Sequence, residues 1–102
     1  MKDWVPVEKE KAPVPGSAYA IEFQNDHKTP MQFVLSMFVH CFGMNVYDAY
    51  REMMVVHEKG SRIVGSMSRV NAEGLVEHIH AEAVKRGFPL RCKVVSAAKT
   101  ES

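Results

Sequence analysis

Two short polar clusters carry the side chains best suited to binding a ligand. One is Asn25-Asp26, in the run Asn25-Asp26-His27-Lys28-Thr29-Pro30. It lies where an alternating segment ends and a helical one begins, a usual place for a loop to present groups to a ligand. The plain alternative is an ordinary turn with Asx capping. The other is His57, which follows Met53 and Val56 on an apolar repeat. A lone His on such a face is either a satisfied core residue or a group turned to a ligand. Seven methionines in 102 residues is a high count, and Met31, Met53 and Met54 flank both clusters. Methionine fills core gaps and also lines adaptable apolar pockets.

Other chemistry finds little support. His78 and His80 are two apart on a helical segment. They point about 200° apart and cannot share a metal. No Cys/His set has zinc spacing. His40 and Cys41 are adjacent, so on a helix they do not face each other. No glycine-rich phosphate loop or serine elbow is present. Neither an enzyme nor a metal or other cofactor is expected.

The chain's 102 residues suffice for one domain. Its 46% hydrophobic and 25% charged residues give a globular balance. A net charge of +1 is too small to imply nucleic acid. No apolar run approaches the roughly 20 residues that span a bilayer, and the N-terminus lacks a signal peptide's apolar core. The expectation is a cytoplasmic monomer with no membrane partner. Cys41 and Cys92, each in an apolar-patterned segment, fit as reduced core thiols.

The elements that position these residues follow from periodicity. Residues 1–17, with Pro6, Pro13, Pro15, Gly16 and mixed charges, predict a mobile extension. Trp4 within it is either a docking residue or a chance apolar one. Tyr19, Ile21 and Phe23 alternate with Ala20, Glu22 and Gln24, a strand. Thr29-Pro30 reads as an N-cap and first helical residue. Phe33, Val34, Met37, Phe38 and Cys41 then form one helical face, ended by Gly43. Asn45 can cap a second helix to about Glu58, with Val46, Ala49, Tyr50, Met53, Val56 and His57 as its buried stripe and Gly60 as its stop. Residues 62–67 form a short strand. Ser68 can cap a third helix that buries Ala72, Leu75, Val76, Ile79 and Ala83 and closes at Gly87 and Pro89. Residues 90–95 are the last strand. The predicted fold is α+β, in the order β-α-α-β-α-β: three helices on one face of a three-stranded antiparallel sheet. The domain spans 18–97, followed by a tail at 98–102.

Together, Asn25-Asp26-x-x-Thr29-Pro30-Met31-x-Phe33-Val34, Met53-x-x-Val56-His57-x-x-Gly60 and Pro89-Leu90-x-Cys92 resemble the ClpS adaptor family over about residues 18–97. The resemblance implies a protein that binds N-degrons, chiefly Leu, Phe, Tyr or Trp at a substrate's N-terminus. It would deliver those substrates to a ClpA-type unfoldase of the Clp protease. By position, Asn25 and His57 would hydrogen-bond the substrate's α-amino group, with Asp26 at the rim. Thr29, Met31, Val34, Met53, Val56 and Leu90 would line the side-chain pocket. An Asn carbonyl and a neutral imidazole nitrogen are acceptors of the kind an ammonium needs.

Two departures from the family pattern stand out. His27 replaces a second Asp that in the family helps hold the ammonium, which makes it a candidate modifier of amine binding. On the third helix, Val70 and Leu75 replace the family's unfoldase-contacting Glu and Lys. These departures keep two further readings open. One is a diverged binder or inhibitor that alters Clp specificity without standard delivery. The other is a plain scaffold whose Asn-Asp loop is only a turn.

Overall fold

The computed structural model describes residues 3–7 and 18–98. Four strands and three helices alternate as β1 (Asp3–Pro6), β2 (Tyr19–Gln24), α1 (Met31–Phe42), α2 (Val46–Lys59), β3 (Ser61–Met67), α3 (Arg69–Lys85) and β4 (Arg91–Ala98). The sheet is antiparallel throughout, in the order β1-β4-β2-β3. This is the α+β sandwich expected from the sequence, with one strand more.

The extra strand corrects the three-stranded expectation. Asp3–Pro6 falls inside the segment read as mobile, yet it pairs with residues 95–98 of β4. Pro6 is tolerated because β1 is an edge strand and needs no ladder donor there. Trp4 lies in this strand opposite Ala97, half-buried. The rest of the expected extension, residues 1–2 and 8–17, lies outside the described residues. So does 99–102 of the expected C-terminal tail, while β4 runs on to Ala98.

One contiguous core sits between sheet and helices. Tyr19, Ile21 and Phe23 of β2 meet Phe33, Val34, Met37 and Phe38 of α1, Ala49, Met53 and Val56 of α2, and Ala72, Ile79 and Ala83 of α3. Phe23 is fully buried and receives Phe38 and Phe42 edge-on, with ring centroids 4.8 and 5.8 Å away. Edge-to-face packing adds stability beyond the buried area.

The helix boundaries follow mostly from local chemistry. The Asn45 and Ser68 side chains accept from the backbone N–H of Asp48 and Asn71, as N-caps do. The first helix differs from expectation. It begins at Met31 with Pro30 at the cap position, and Thr29 does not cap it. The Thr29 hydroxyl is instead committed to Asp26. The stripe of α2 is also narrower than expected. Ala49, Met53 and Val56 are buried, but Val46 and Tyr50 are 64% and 52% exposed and His57 is exposed. On α3, Leu75 and Val76 are only half-buried.

Between Tyr19 and Ile21 the partners on β3 step from Met67 to Val64, so β3 carries one extra residue there. Gly65, at φ 93°, takes up the bulge.

Candidate functional site

β2 ends at Gln24, which pairs with Ser61, the first residue of β3. The next amide, Asn25 N–H, donates to the Gly60 carbonyl at 2.9 Å. Gly60 is the left-handed C-cap of α2 at φ 90°, and its N–H donates to Val56 O. His57 stands one turn before this cap. The end of β2 is thereby laced to the end of α2, which brings Asn25 and His57 to one rim although 32 residues separate them in sequence.

The Asn25–Pro30 loop is shaped by Asp26. Its Oδ1 accepts from the backbone N–H of Lys28 (2.8 Å) and Thr29 (2.7 Å), and its Oδ2 accepts from Thr29 Oγ1 (2.8 Å). Partial burial raises this carboxyl's pKa. The hydrogen bonds from Thr29 and Lys28, with the charge of His27, outweigh that and hold it below the usual carboxylate range. This is the Asx turn weighed from the sequence, with Asn25 carried on its shoulder.

Below the rim lies a narrow cavity, open to solvent. It is lined by Gln24, Asn25, Asp26, Thr29, Met31, Val34, Met53, Val56, His57 and Leu90. Val34, Met53, Val56 and Leu90 are buried and make an apolar floor. Met31, 39% exposed, stands at the mouth. Leu90 reaches the floor from the turn between α3 and β4. Phe88, two residues earlier, packs edge-on against Phe33 at 5.2 Å and fixes that turn against the start of α1. Asn25 and His57 are exposed, and Asp26 and Thr29 are half-buried. The geometry is that of a greasy socket for one side chain with acceptors around its edge.

The structure therefore gathers Asn25, Asp26, Thr29, Met31, Val34, Met53, Val56, His57 and Leu90 around one cavity. His57 reaches it from the exposed side of α2, not from the buried stripe where its spacing put it. His27 is exposed and lies outside the lining. Val70 and Leu75 sit elsewhere, on α3. Val70 is 77% exposed, while Leu75 lines a shallow groove with Cys41, Phe42, Gly65, Ser66, Met67 and Asn71. Gln24 was missed, because the alternation of β2 made it look like a solvated strand residue. Its place directly before Asn25 was the available clue.

The thiols offer no nucleophile. Cys41 and Cys92 are both free, and Cys41 is half-buried. Cys92 Sγ lies 3.6 Å from His80 Nε2, a pairing that sequence spacing did not reveal. Burial, with the neighbouring Cys41, pushes the Cys92 thiol up to about 12, so it stays protonated. Burial and then the charge of Glu82 raise Cys41 as well. Among the described residues no three His, Cys, Asp or Glu side chains converge to hold a metal. Nor is any described helix long and apolar enough to cross a membrane.

Among the described residues, an α+β sandwich whose apolar socket is rimmed by polar side chains has the form of a small ligand-recognition domain. The family model for "ATP-dependent Clp protease adaptor protein ClpS" matches residues 15–93. The chain belongs to the ClpS family and has the role of a Clp protease adaptor. It is similar to the ATP-dependent Clp protease adapter protein ClpS of Nitratidesulfovibrio vulgaris (strain DSM 19637 / Miyazaki F). The two are 38% identical over 74 residues, which cover 72% of this chain and 74% of that protein. The corresponding protein of Methylococcus capsulatus (strain ATCC 33009 / NCIMB 11132 / Bath) is 35% identical over 79 residues, 78% of this chain and 74% of that one. Among solved structures, Agrobacterium tumefaciens ClpS2 bound to L-phenylalaninamide aligns at a TM-score of 0.71 with 30% identity. It covers 74% of this chain and 92% of that chain.

Proposed function

We propose that this adaptor binds the N-terminal residue of proteins that begin with Leu, Phe, Tyr or Trp, and hands them to a ClpA-type unfoldase of the Clp protease. It acts as a cytoplasmic monomer, on residues 18–97, with no catalytic step and no cofactor. The observation that carries the reading is the socket, apolar below and rimmed by Asn25 and His57 above. The likeness to a ClpS2 bound to L-phenylalaninamide supports it, since that ligand offers a Phe side chain beside a free amine.

In this reading the substrate's first side chain enters the socket against Val34, Met53, Val56 and Leu90. Burying a Leu or Phe contributes about 1.5–3 kcal/mol. The α-ammonium donates to the Asn25 side-chain carbonyl and to a His57 ring nitrogen. Each such charged hydrogen bond adds about 1.5–3 kcal/mol. Association takes back several kcal/mol, which leaves affinity near micromolar, loose enough for handover. Asp26 contributes its charge at the rim, while its oxygens serve the loop.

The test is fluorescence anisotropy with labelled peptides that differ only in residue one, together with an N-acetylated Phe peptide. Free Phe, Leu, Tyr and Trp peptides bind, and acetylation weakens binding by well over tenfold. Equal binding of free and acetylated Phe peptides refutes the reading.

A second reading, binding without standard delivery, is favoured by Val70. An exposed apolar side chain there offers no charge to an unfoldase. Pull-down with the cognate unfoldase separates the two: an adaptor that binds peptide but fails to retain the unfoldase supports the second.

A further inference from the structure

Beside the socket lies an open depression, lined by Gln24, His80, Arg91, Cys92 and Lys93. It shares Gln24 with the socket. The register explains why the two adjoin. Gln24 is the cross-strand partner of Arg91, and Arg91 directly follows Leu90 of the socket floor. β1 reaches only residues 95–98 of β4, so among the described residues nothing pairs with the other edge of β4 at 91–94.

Cations predominate around the mouth. Among the described residues no carboxylate pairs with Arg91, which is exposed. Lys93 is only loosely paired with Glu22, at 3.7 Å. His27 and Lys28 are exposed on the loop beyond Asn25. The rim carboxylate Asp26 keeps its charge, but its oxygens accept three hydrogen bonds within its own loop. Glu77 lies beyond His80, in the next depression along α3. A peptide leaving the socket advances at most about 3.3–3.6 Å per residue. Its second and third side chains therefore emerge within reach of a cross-strand neighbour of Gln24.

We infer that this depression is a specificity subsite for an acidic side chain at the second or third residue of the bound chain, with Arg91 as its principal cation. The inference rests on the N-terminal recognition proposed above and names which N-termini that site favours. Its chemistry is a carboxylate against an exposed guanidinium, with the Gln24 amide able to donate alongside.

The test uses anisotropy with four labelled peptides of equal length: Phe-Glu-Glu, Phe-Ala-Ala, Phe-Lys-Lys and Ala-Glu-Glu leads on a neutral body. Wild type and Arg91→Gln are titrated at low and high salt, with folding of both checked by circular dichroism. An exposed ion pair predicts that Phe-Glu-Glu binds about two- to fivefold tighter than Phe-Ala-Ala, and Phe-Lys-Lys weaker by a similar factor. The spread shrinks at high salt. In Arg91→Gln the acidic preference collapses, while affinity for Phe-Ala-Ala stays within about twofold. If Phe-Glu-Glu and Phe-Ala-Ala bind wild type alike, the subsite is refuted and the recognition of Phe stands. An acidic preference that persists in Arg91→Gln also refutes it, because the charge is then read elsewhere. If Ala-Glu-Glu binds as well as Phe-Glu-Glu, first-residue recognition fails and the subsite fails with it.

Discussion

Replacing Asp26 separates loop building from ligand binding. Its carboxylate accepts three hydrogen bonds of 2.7–2.8 Å inside the Asn25–Pro30 loop. Asp26→Ala removes all three. Loss of a comparable capping side chain costs about 0.5–2 kcal/mol, and the part-exposed setting argues for about 1–1.5 kcal/mol here. In a domain of this size that lowers Tm by about 4–10 °C. If the ligand must restore the same loop order on binding, affinity for a Phe peptide falls about 5- to 15-fold. Asp26→Asn behaves differently. Its Oδ1 still accepts from Lys28 and Thr29, and its amide can donate to Thr29 Oγ1, so stability changes by less than about 0.5 kcal/mol. Only the rim charge is lost, which for an exposed pair is worth at most about 1 kcal/mol, or about fivefold in affinity. Differential scanning calorimetry and peptide anisotropy on the three proteins decide the matter. Equal affinity losses in Asp26→Asn and Asp26→Ala would refute the argument, because the charge itself would then hold the amine. The pH dependence gives a second check. The native carboxyl sits below its ordinary value of 3.8. Its stabilisation is therefore complete above the unfolded value and is lost as pH falls through the native one. The stability gap between wild type and Asp26→Ala stays constant above about pH 5 and closes below about pH 4.

Three further substitutions probe the frame. The proposed binding mode sets Met31, at the mouth, against the β-carbon of a bound residue, where a β-branched side chain cannot swing its extra methyl away. Wild type rejects Ile and Val peptides, and Met31→Ala recovers about 1–3 kcal/mol of Ile binding by anisotropy; continued rejection removes Met31 as the gate. Gly65→Ala places a Cβ 2.7 Å from Met67 Cε and 3.0 Å from Phe42 Cε2 at a positive φ. It costs about 1–3 kcal/mol in urea unfolding; an unchanged midpoint would mean that the bulge relaxes freely. Ser96 is fully buried, and its Oγ has no partner among the described residues. Ser96→Ala leaves stability unchanged or raises it by up to about 1 kcal/mol in the same assay; a clear loss would reveal a partner for the hydroxyl.

What was legible in the sequence was mostly local. Asn45 and Ser68 cap helices with groups three residues away, so spacing alone identifies them. Thr29 had the same appearance, but the helix starts one residue later, with Pro30 at the cap position, and the Thr29 hydroxyl donates to Asp26 instead. β1 was illegible because Asp3–Pro6 lacks alternation and owes its form to a strand about ninety residues later. The α2 stripe was read too wide because helical spacing marks a face without saying how far its neighbours extend over it. Val46 and Tyr50 lie beyond that cover and stay in solvent. The socket was legible only through the joint pattern of three motifs. No periodicity joins Asn25 to His57; the fold joins them at Gly60.

That junction has a mechanical consequence. The two polar groups of the rim ride on different elements, stitched by the Gln24–Ser61 rung and the Asn25-to-Gly60 hydrogen bond. Both stitches are terminal, and terminal rungs open at far lower free energy than the buried interior of the same ladder. Fraying there separates Asn25 from His57 while Phe23 and its ring partners stay packed. In the proposed reading the grip on an amine would thus have its own local stability, well below that of the domain, and the exchange rate of the Asn25 amide reports it.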